Sequence, residues 1–259
     1  MRQQYLEAKL LAAGLTACNY FEQIGSTNDA AKQWLADGGQ GTYAAIANEQ
    51  LQGRGREERH WQTAPNSAIA LSLAFSKWTL DSNLVPLLAG VVGIAVSSTI
   101  SKQLGLELAL KWPNDLLVEG KKVGGILIEN AWRGDGNLEC VMGIGINVAS
   151  SSIVESSTFR FPAGYLEQFG SSQIDREELT VAIVKKLLNL VKDADPVEIL
   201  REWNALLAYR NESVEFAPRD GVITQGKLAG IDGQGRLILE LGSGQTERFI
   251  AGEIQLKPR

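Results

Sequence analysis

Between residues 53 and 61 the chain reads Gly53-Arg54-Gly55-Arg56, then Arg59 and Trp61. Glycine lets a backbone come close to a ligand and adopt positive φ. Successive amide N–H groups in such a turn form a nest for an anion. The interleaved arginines add planar, permanently charged donors matched to phosphate or carboxylate. By itself the segment reads equally as a solvated loop, with Trp61 anchored in the core. A second cluster, Lys111-Trp112-Pro113-Asn114-Asp115, sets a cation, an amide and a carboxylate where a strand ends. Alone it is also an ordinary Asn-Asp turn. In Lys121-Lys122-Val123-Gly124-Gly125-Ile126-Leu127-Ile128-Glu129, two glycines interrupt an apolar strand. They leave a groove beside Lys122 suited to a ligand with an apolar body and an anionic end, or else they mark a bulge. Gly143-Ile144-Gly145-Ile146-Asn147-Val148 lays bare backbone along one sheet face, for a ligand or for a tightly packed neighbour. Ser26-Thr27-Asn28 reads first as a helix N-cap.

Hydrophobic periodicity supplies the elements that must position these residues. A first helix is expected from Ser26 or Thr27, with Ser26 and Asp29 as a capping box and Gly38-Gly39 as its stop. Tyr43 to Ala47 and Ala68 to Phe75 read as strands. Leu84, Leu87, Leu88, Val91, Val92, Ala95, Val96, Thr99 and Ile100 recur at helical spacing and form a face that packs on a sheet. Leu106 to Trp112, Asp115 to Val118, Lys122 to Glu129 and Leu138 to Val148 read as strands. Their turns fall at Pro113-Asn114, Glu119-Gly120 and Gly134-Asp135-Gly136. Strands joined by turns rather than helices predict a mixed, largely antiparallel sheet with helices on one face, an α+β fold. A Ser- and Gly-rich loop is expected over 149–172. Asp175 then caps a helix with Glu178 as box partner, and another helix follows Pro196. After about Tyr209, short strands broken by Gly turns predict a small β-barrel. The division is placed at 1–208 and 209–259.

The bulk numbers exclude some functions. A net charge of −5 argues against a nucleic-acid partner. Two distant cysteines, Cys18 and Cys140, build neither a disulfide scaffold nor a metal site, and a reducing cytoplasm fits. One histidine, His60, rules out a His-rich metal centre. The most apolar stretch, Leu84 to Val96, is read as too short to span a bilayer, so no membrane partner is expected.

Taken in order, Ser-Thr-Asn, Gln50 with Gly-Arg-Gly-Arg…Arg…Trp, Lys-Trp-Pro-Asn-Asp, Lys-Val-Gly-Gly-Ile-Leu-Ile-Glu and Gly-Ile-Gly-Ile-Asn-Val closely resemble the bacterial biotin protein ligases. The resemblance implies an α+β catalytic domain related in fold to class II aminoacyl-tRNA synthetases and lipoate ligases, followed by an SH3-like barrel. It implies an ATP-dependent enzyme that makes biotinyl-AMP and passes biotin to a lysine of the biotin carboxyl carrier protein of acetyl-CoA carboxylase. On that reading Ser26, Thr27, Asn28 and Gln50 hold the ureido ring. Gly124, Gly125, Gly143 and Gly145 line the pocket, and Gly53, Arg54, Gly55 and Arg56 close over biotin and the adenylate. Lys122 sits near the biotin carboxylate and the α-phosphate. Arg56, Arg59, Trp61, Lys111, Asn114 and Asn147 face the nucleotide. Lys122, Arg56 and Asp115 carry the chemistry. Mg²⁺ accompanies ATP, with Asp115 assigned to the metal or the target lysine and the metal's other ligands open.

The resemblance leaves a homodimer open. Too few residues precede Ser26 for the DNA-binding module of some family members, so no repressor role is expected. Two departures stand out: Asn48 where the family often has an acid, and Glu57-Glu58 where it often has a base and Gly. A lipoate ligase or octanoyltransferase would carry Arg-Arg…Ser-Gly-Gly-Gly…His-Asp, which is absent. A biotin sensor without catalysis would have no need of Lys122 and Arg56.

Overall fold

The structure is a computed structural model that describes residues 3–61, 63–78, 82–132, 138–153, 162–170, 173–218 and 221–255. The expected turn at 134–136 and much of the loop at 149–172 lie outside them. A seven-stranded sheet runs in the order β1-β2-β3-β7-β6-β5-β4. Its strands are β1 (Ala17–Ile24), β2 (Thr42–Gln50), β3 (Ala68–Trp78), β4 (Ala109–Lys111), β5 (Asp115–Val118), β6 (Lys121–Trp132) and β7 (Leu138–Asn147). β1 and β2 are parallel and every other pair is antiparallel. β4 is shorter than the strand expected from Leu106.

Helices cover both faces, not one. α1 (Gln3–Ala12), α3 (Leu88–Leu104), α4 (Arg176–Lys192) and α5 (Pro196–Leu206) bury one face in the main core. α2 (Thr27–Ala36) lies on the other, with Ala31 and Leu35 against Tyr43, Ala45, Ala74 and Val141. β2 is apolar on both faces through Tyr43-Ala44-Ala45-Ile46, all buried, so its pattern announces no solvent side. α1 was not foreseen. It buries only Leu6 and Leu10, too few to give a period.

Two capping boxes are absent. Ser26 occupies the N-cap of α2 with extended backbone, but its side chain makes no cap bond. Asp175 does cap α4, accepting from the amides of Glu177 and Glu178. Glu178 turns outward to Lys9 and Tyr5 instead of completing a box. The apolar run around α3 is longer than its sequence pattern suggested. A 3₁₀ segment, Ser82–Leu87, continues into α3 for 23 residues, enough by length and composition to cross a membrane. Its most apolar window is 72% buried inside the protein, the pattern of a core helix.

The C-terminal strands are β8 (Ser213–Pro218), β9 (Thr224–Ile231), β10 (Leu237–Glu240), β11 (Thr246–Phe249) and β12 (Gly252–Gln255), in the order β11-β10-β9-β8-β12. β11 and β12 are separated at Ile250-Ala251. This small sheet shares its core with the large one. The rings of Trp112 and Phe216 lie 5.8 Å apart, and Trp112 Nε1 donates to Gly235 O at 2.9 Å.

Candidate active site

The glycine stripe of β6 and β7 forms the floor of a cavity of about 680 Å³, and residues 54–61 overhang it. The overhanging loop closes on itself. Trp61 N donates to Gly53 O at 2.7 Å, and Gly55 N donates to Arg59 O at 2.6 Å. A Cβ on Gly53 would stand 2.2 Å from Trp61 O, so this glycine serves the loop and does not line the cavity. Gly124 is also off the cavity wall. A Cβ there would meet Gly145 O at 2.6 Å and Leu116 at 2.8 Å. Gly125, Gly143 and Gly145 do line it. Gly145 makes room for the Trp61 ring, which a Cβ would meet at 2.5 Å, and Gly143 makes room for Asn28 Oδ1, at 2.3 Å. The stripe therefore serves close packing and cavity together.

At one end Ser26, Thr27, Asn28 and Gln50 are buried and face the cavity. Thr27 donates from both N and Oγ1 to Gln50 Oε1, at 2.8 and 3.0 Å. Sequence reasoning missed two residues behind them. Ser72 Oγ, fully buried on β3, lies 2.7 Å from Thr27 Oγ1 and 2.6 Å from Asn28 Oδ1. Glu129 on β6 accepts from Asn28 Nδ2 at 2.7 Å. A lone serine inside Ala-Leu-Ser-Leu-Ala was the available signal, because a buried hydroxyl needs a partner.

The other end is cationic. Among the described residues five basic and three acidic side chains line the cavity. Lys122 Nζ pairs with Asp115 at 2.5 Å. Lys111 is 1% exposed, with its Nζ 3.9 Å from both Asp115 and Glu253. Burial pulls its pKa down to about 8, against the pull of those two carboxylates. Arg59 is bound to Glu253 of β12 at 2.9 Å. Arg56 differs: it is half-buried, and its guanidinium makes no hydrogen bond or ion pair within the described residues. Burial lowers its affinity for the proton. Trp61 Nε1 is a buried donor without an acceptor among the described residues. Asn114 and Asn147 line the cavity, but their amides donate to Ile126 O and Gly164 O. No cluster of three His, Cys, Asp or Glu side chains able to hold a metal occurs within the described residues.

Comparison with known proteins agrees with this geometry. A model described as "Biotin/lipoate A/B protein ligase family" matches residues 20–147, and one described as "Biotin protein ligase C terminal domain" matches 211–257. The biotin–[acetyl-CoA-carboxylase] ligase of Paracoccus denitrificans is 31% identical over 241 residues, covering 88% of this chain and 98% of that protein. The chain belongs to the biotin protein ligase family. The bifunctional ligase/repressor BirA of Escherichia coli (strain K12) is 30% identical over 220 residues, which is 83% of this chain and 66% of that protein. The solved structure of the biotin protein ligase from Aquifex aeolicus in complex with biotin and ATP has the same fold. Its TM-score is 0.76, over 95% of this chain and 100% of that one, at 24% identity. Within the biotin protein ligase fold the site motifs, scattered over more than a hundred residues, thus meet at one cavity.

Proposed function

We propose that this chain joins biotin to ATP as biotinyl-AMP and transfers biotin to a lysine of the biotin carboxyl carrier protein of acetyl-CoA carboxylase, in the cytoplasm. The carrying observation is Arg56, a half-buried cation whose guanidinium has no hydrogen bond or ion pair among the described residues, at the cationic end of a cavity whose other end is a buried array of hydroxyls and amides. A buried urea needs donors for its carbonyl and acceptors for its two N–H groups, and Ser26, Thr27, Asn28 and Gln50 supply both kinds. The glycine floor takes the apolar ring and chain.

In the first step a biotin carboxylate oxygen bonds to the α-phosphorus, the α–β bridging P–O bond breaks, and pyrophosphate leaves. This needs alignment and charge neutralisation rather than a base. On this reading Arg56 takes a phosphate oxygen, and Lys122, shifting from Asp115, takes the carboxylate or the phosphate. In the second step the incoming ammonium gives up a proton to become the neutral amine, this bonds to the biotinyl carbonyl carbon, AMP leaves with the bonding pair, and the amine's second proton passes to water. Asp115 is the carboxylate in reach of the incoming ammonium.

Mg²⁺ fits as a companion of the triphosphate, since such ions take one or two carboxylates and complete their shell with phosphate and water. Asp115 is the protein oxygen donor that would hold it, and the ion would supply charge neutralisation of the leaving pyrophosphate. The division near residue 208 is proposed as the limit of the catalytic part.

The test incubates the pure protein with biotin, MgATP and a biotin carboxyl carrier domain. ATP-dependent mass gain on the carrier is expected, and it disappears when the acceptor lysine is replaced. A carrier of unchanged mass overturns the proposal.

A further inference from the structure

Two of the loop's arginines are already engaged, on opposite sides of the cavity. Arg59 reaches Glu253 on β12. Arg54 reaches the other way and forks onto Asp29 in the first turn of α2, at 2.7 Å from Nη1 to Oδ2 and 2.5 Å from Nη2 to Oδ1. Asp29 is itself held. Lys32 Nζ lies 3.2 Å from Asp29 and 2.9 Å from Glu129, and Glu129 stands 3.9 Å from Arg54. Two acids and two bases thus tie together α2, β6 and the loop. Glu129 also holds Asn28, the neighbour of Asp29. Arg56 sits between the two tethers and is the loop arginine whose guanidinium has no ion pair among the described residues.

We infer that Asp29 is a positioning residue: by gripping Arg54 it pins the loop before any ligand binds and presents Arg56 to the cavity. The inference rests on the ligase reading above and adds a residue to it. Arg54, expected at biotin, thereby acts through the loop. A fork between a guanidinium and a carboxylate fixes orientation as well as distance. Because the grip lies outside the reacting atoms, it affects how long the closed loop stays closed more than how fast the bond forms.

The test compares wild type with Asp29→Asn, which keeps the shape and removes the charge. Pyrophosphate release should stay within about twofold, while the half-life of bound biotinyl-AMP after one turnover falls roughly fivefold, the scale of a partly exposed ion pair. Raised salt should shorten the half-life in wild type and do little in the variant. Asp29→Arg combined with Arg54→Asp should recover most of the loss. An unchanged half-life in Asp29→Asn overturns the inference. So does an Arg54→Ala effect that is undiminished in the Asp29→Asn background, because coupled residues are not additive. Hydrogen exchange of the ligand-free protein separates this inference from the ligase reading. Residues 53–61 should exchange faster in Asp29→Asn whether or not adenylate forms. Equal exchange removes the pin even in an active ligase.

Discussion

Arg56 and Lys122 share a cavity but differ in their ties, and that difference predicts different phenotypes. Lys122 is bound to Asp115 and faces the Gly125 floor. Lys122→Ala should slow pyrophosphate release roughly 100-fold or more while the fold survives, the usual effect of losing one charge at a closed site. Arg56 has no side-chain hydrogen bond or ion pair among the described residues, so Arg56→Gly should leave the free protein folded. It should weaken retention more than synthesis, since biotinyl-AMP is a reactive mixed anhydride and, on the proposed reading, the loop keeps water from it. Biotin incorporation into an unrelated bystander protein should rise, and a level equal to wild type would remove Arg56 from retention. Lys111 gives a pH effect. With its pKa near 8, raising the pH through that value removes a buried positive charge from the site. Pyrophosphate release should therefore fall above about pH 8, with a limb that a Lys111→Met variant lacks. For stability the sign is opposite. The folded pKa is below the ordinary 10.5, so the folded state gains relative to the unfolded one as pH rises from about 8 to 10.5. Asn48, a departure visible in the sequence, has a local reason. Its Nδ2 donates to Glu22 at 2.6 Å, and its Oδ1 accepts from Asn66 N at 3.0 Å. An acid in its place would oppose Glu22.

Among the elements, the glycine stripe of β7 was legible as a ligand floor, but its reason was not. Alternating glycines mark a bare sheet face. That Gly143 admits Asn28 from α2 depends on which face α2 occupies, and β2, apolar on both sides, hides that choice. The site motifs were readable because each keeps its residues within a few positions on one strand or loop. Ser72 and Glu129 were not, because their partners are over forty and a hundred positions away. Ser26 was readable as a cap and yet its side chain makes no cap bond, and the residue lines the cavity. Gly143→Ala tests the approach of helix to sheet. The added Cβ would meet an Asn28 oxygen held by Ser72, so Asn28 has to give up that bond. Biotin affinity should fall roughly tenfold, the worth of one buried hydrogen bond, with ATP affinity little changed. Calorimetric titration reads both, and undiminished biotin binding would refute the approach.

Across the whole molecule, the small C-terminal sheet was legible as a run of short strands between Gly turns, but its union with the large domain was not. Phe216, Leu228, Leu237 and Ile254 belong to the same buried cluster as α3 and β4. Side chains that share one core unfold together, so scanning calorimetry should show one transition with matching calorimetric and van't Hoff enthalpies. Two separated transitions would show independent units. The same union brings Glu253 from the last strand to Arg59 and Lys111, so the chain's final segment helps build the cavity wall.

Trp112 has a consequence for how such proteins can be recombined. It stands in the Lys-Trp-Pro-Asn-Asp segment at the cavity, yet its indole N–H ends on Gly235 O and its ring meets Phe216. Gly235 in turn approaches Pro86 so closely that a Cβ would lie 2.4 Å from its carbonyl oxygen. A chimera carrying a relative's tail on this body inherits these constraints at once. The graft needs a carbonyl where Gly235 presents one, an aromatic ring at 216 and no side chain at 235. Tails that satisfy all three are interchangeable parts. A tail that misses one leaves a buried indole without an acceptor or a wedge under the helix, and it disturbs the segment at the cavity from the far side of the core.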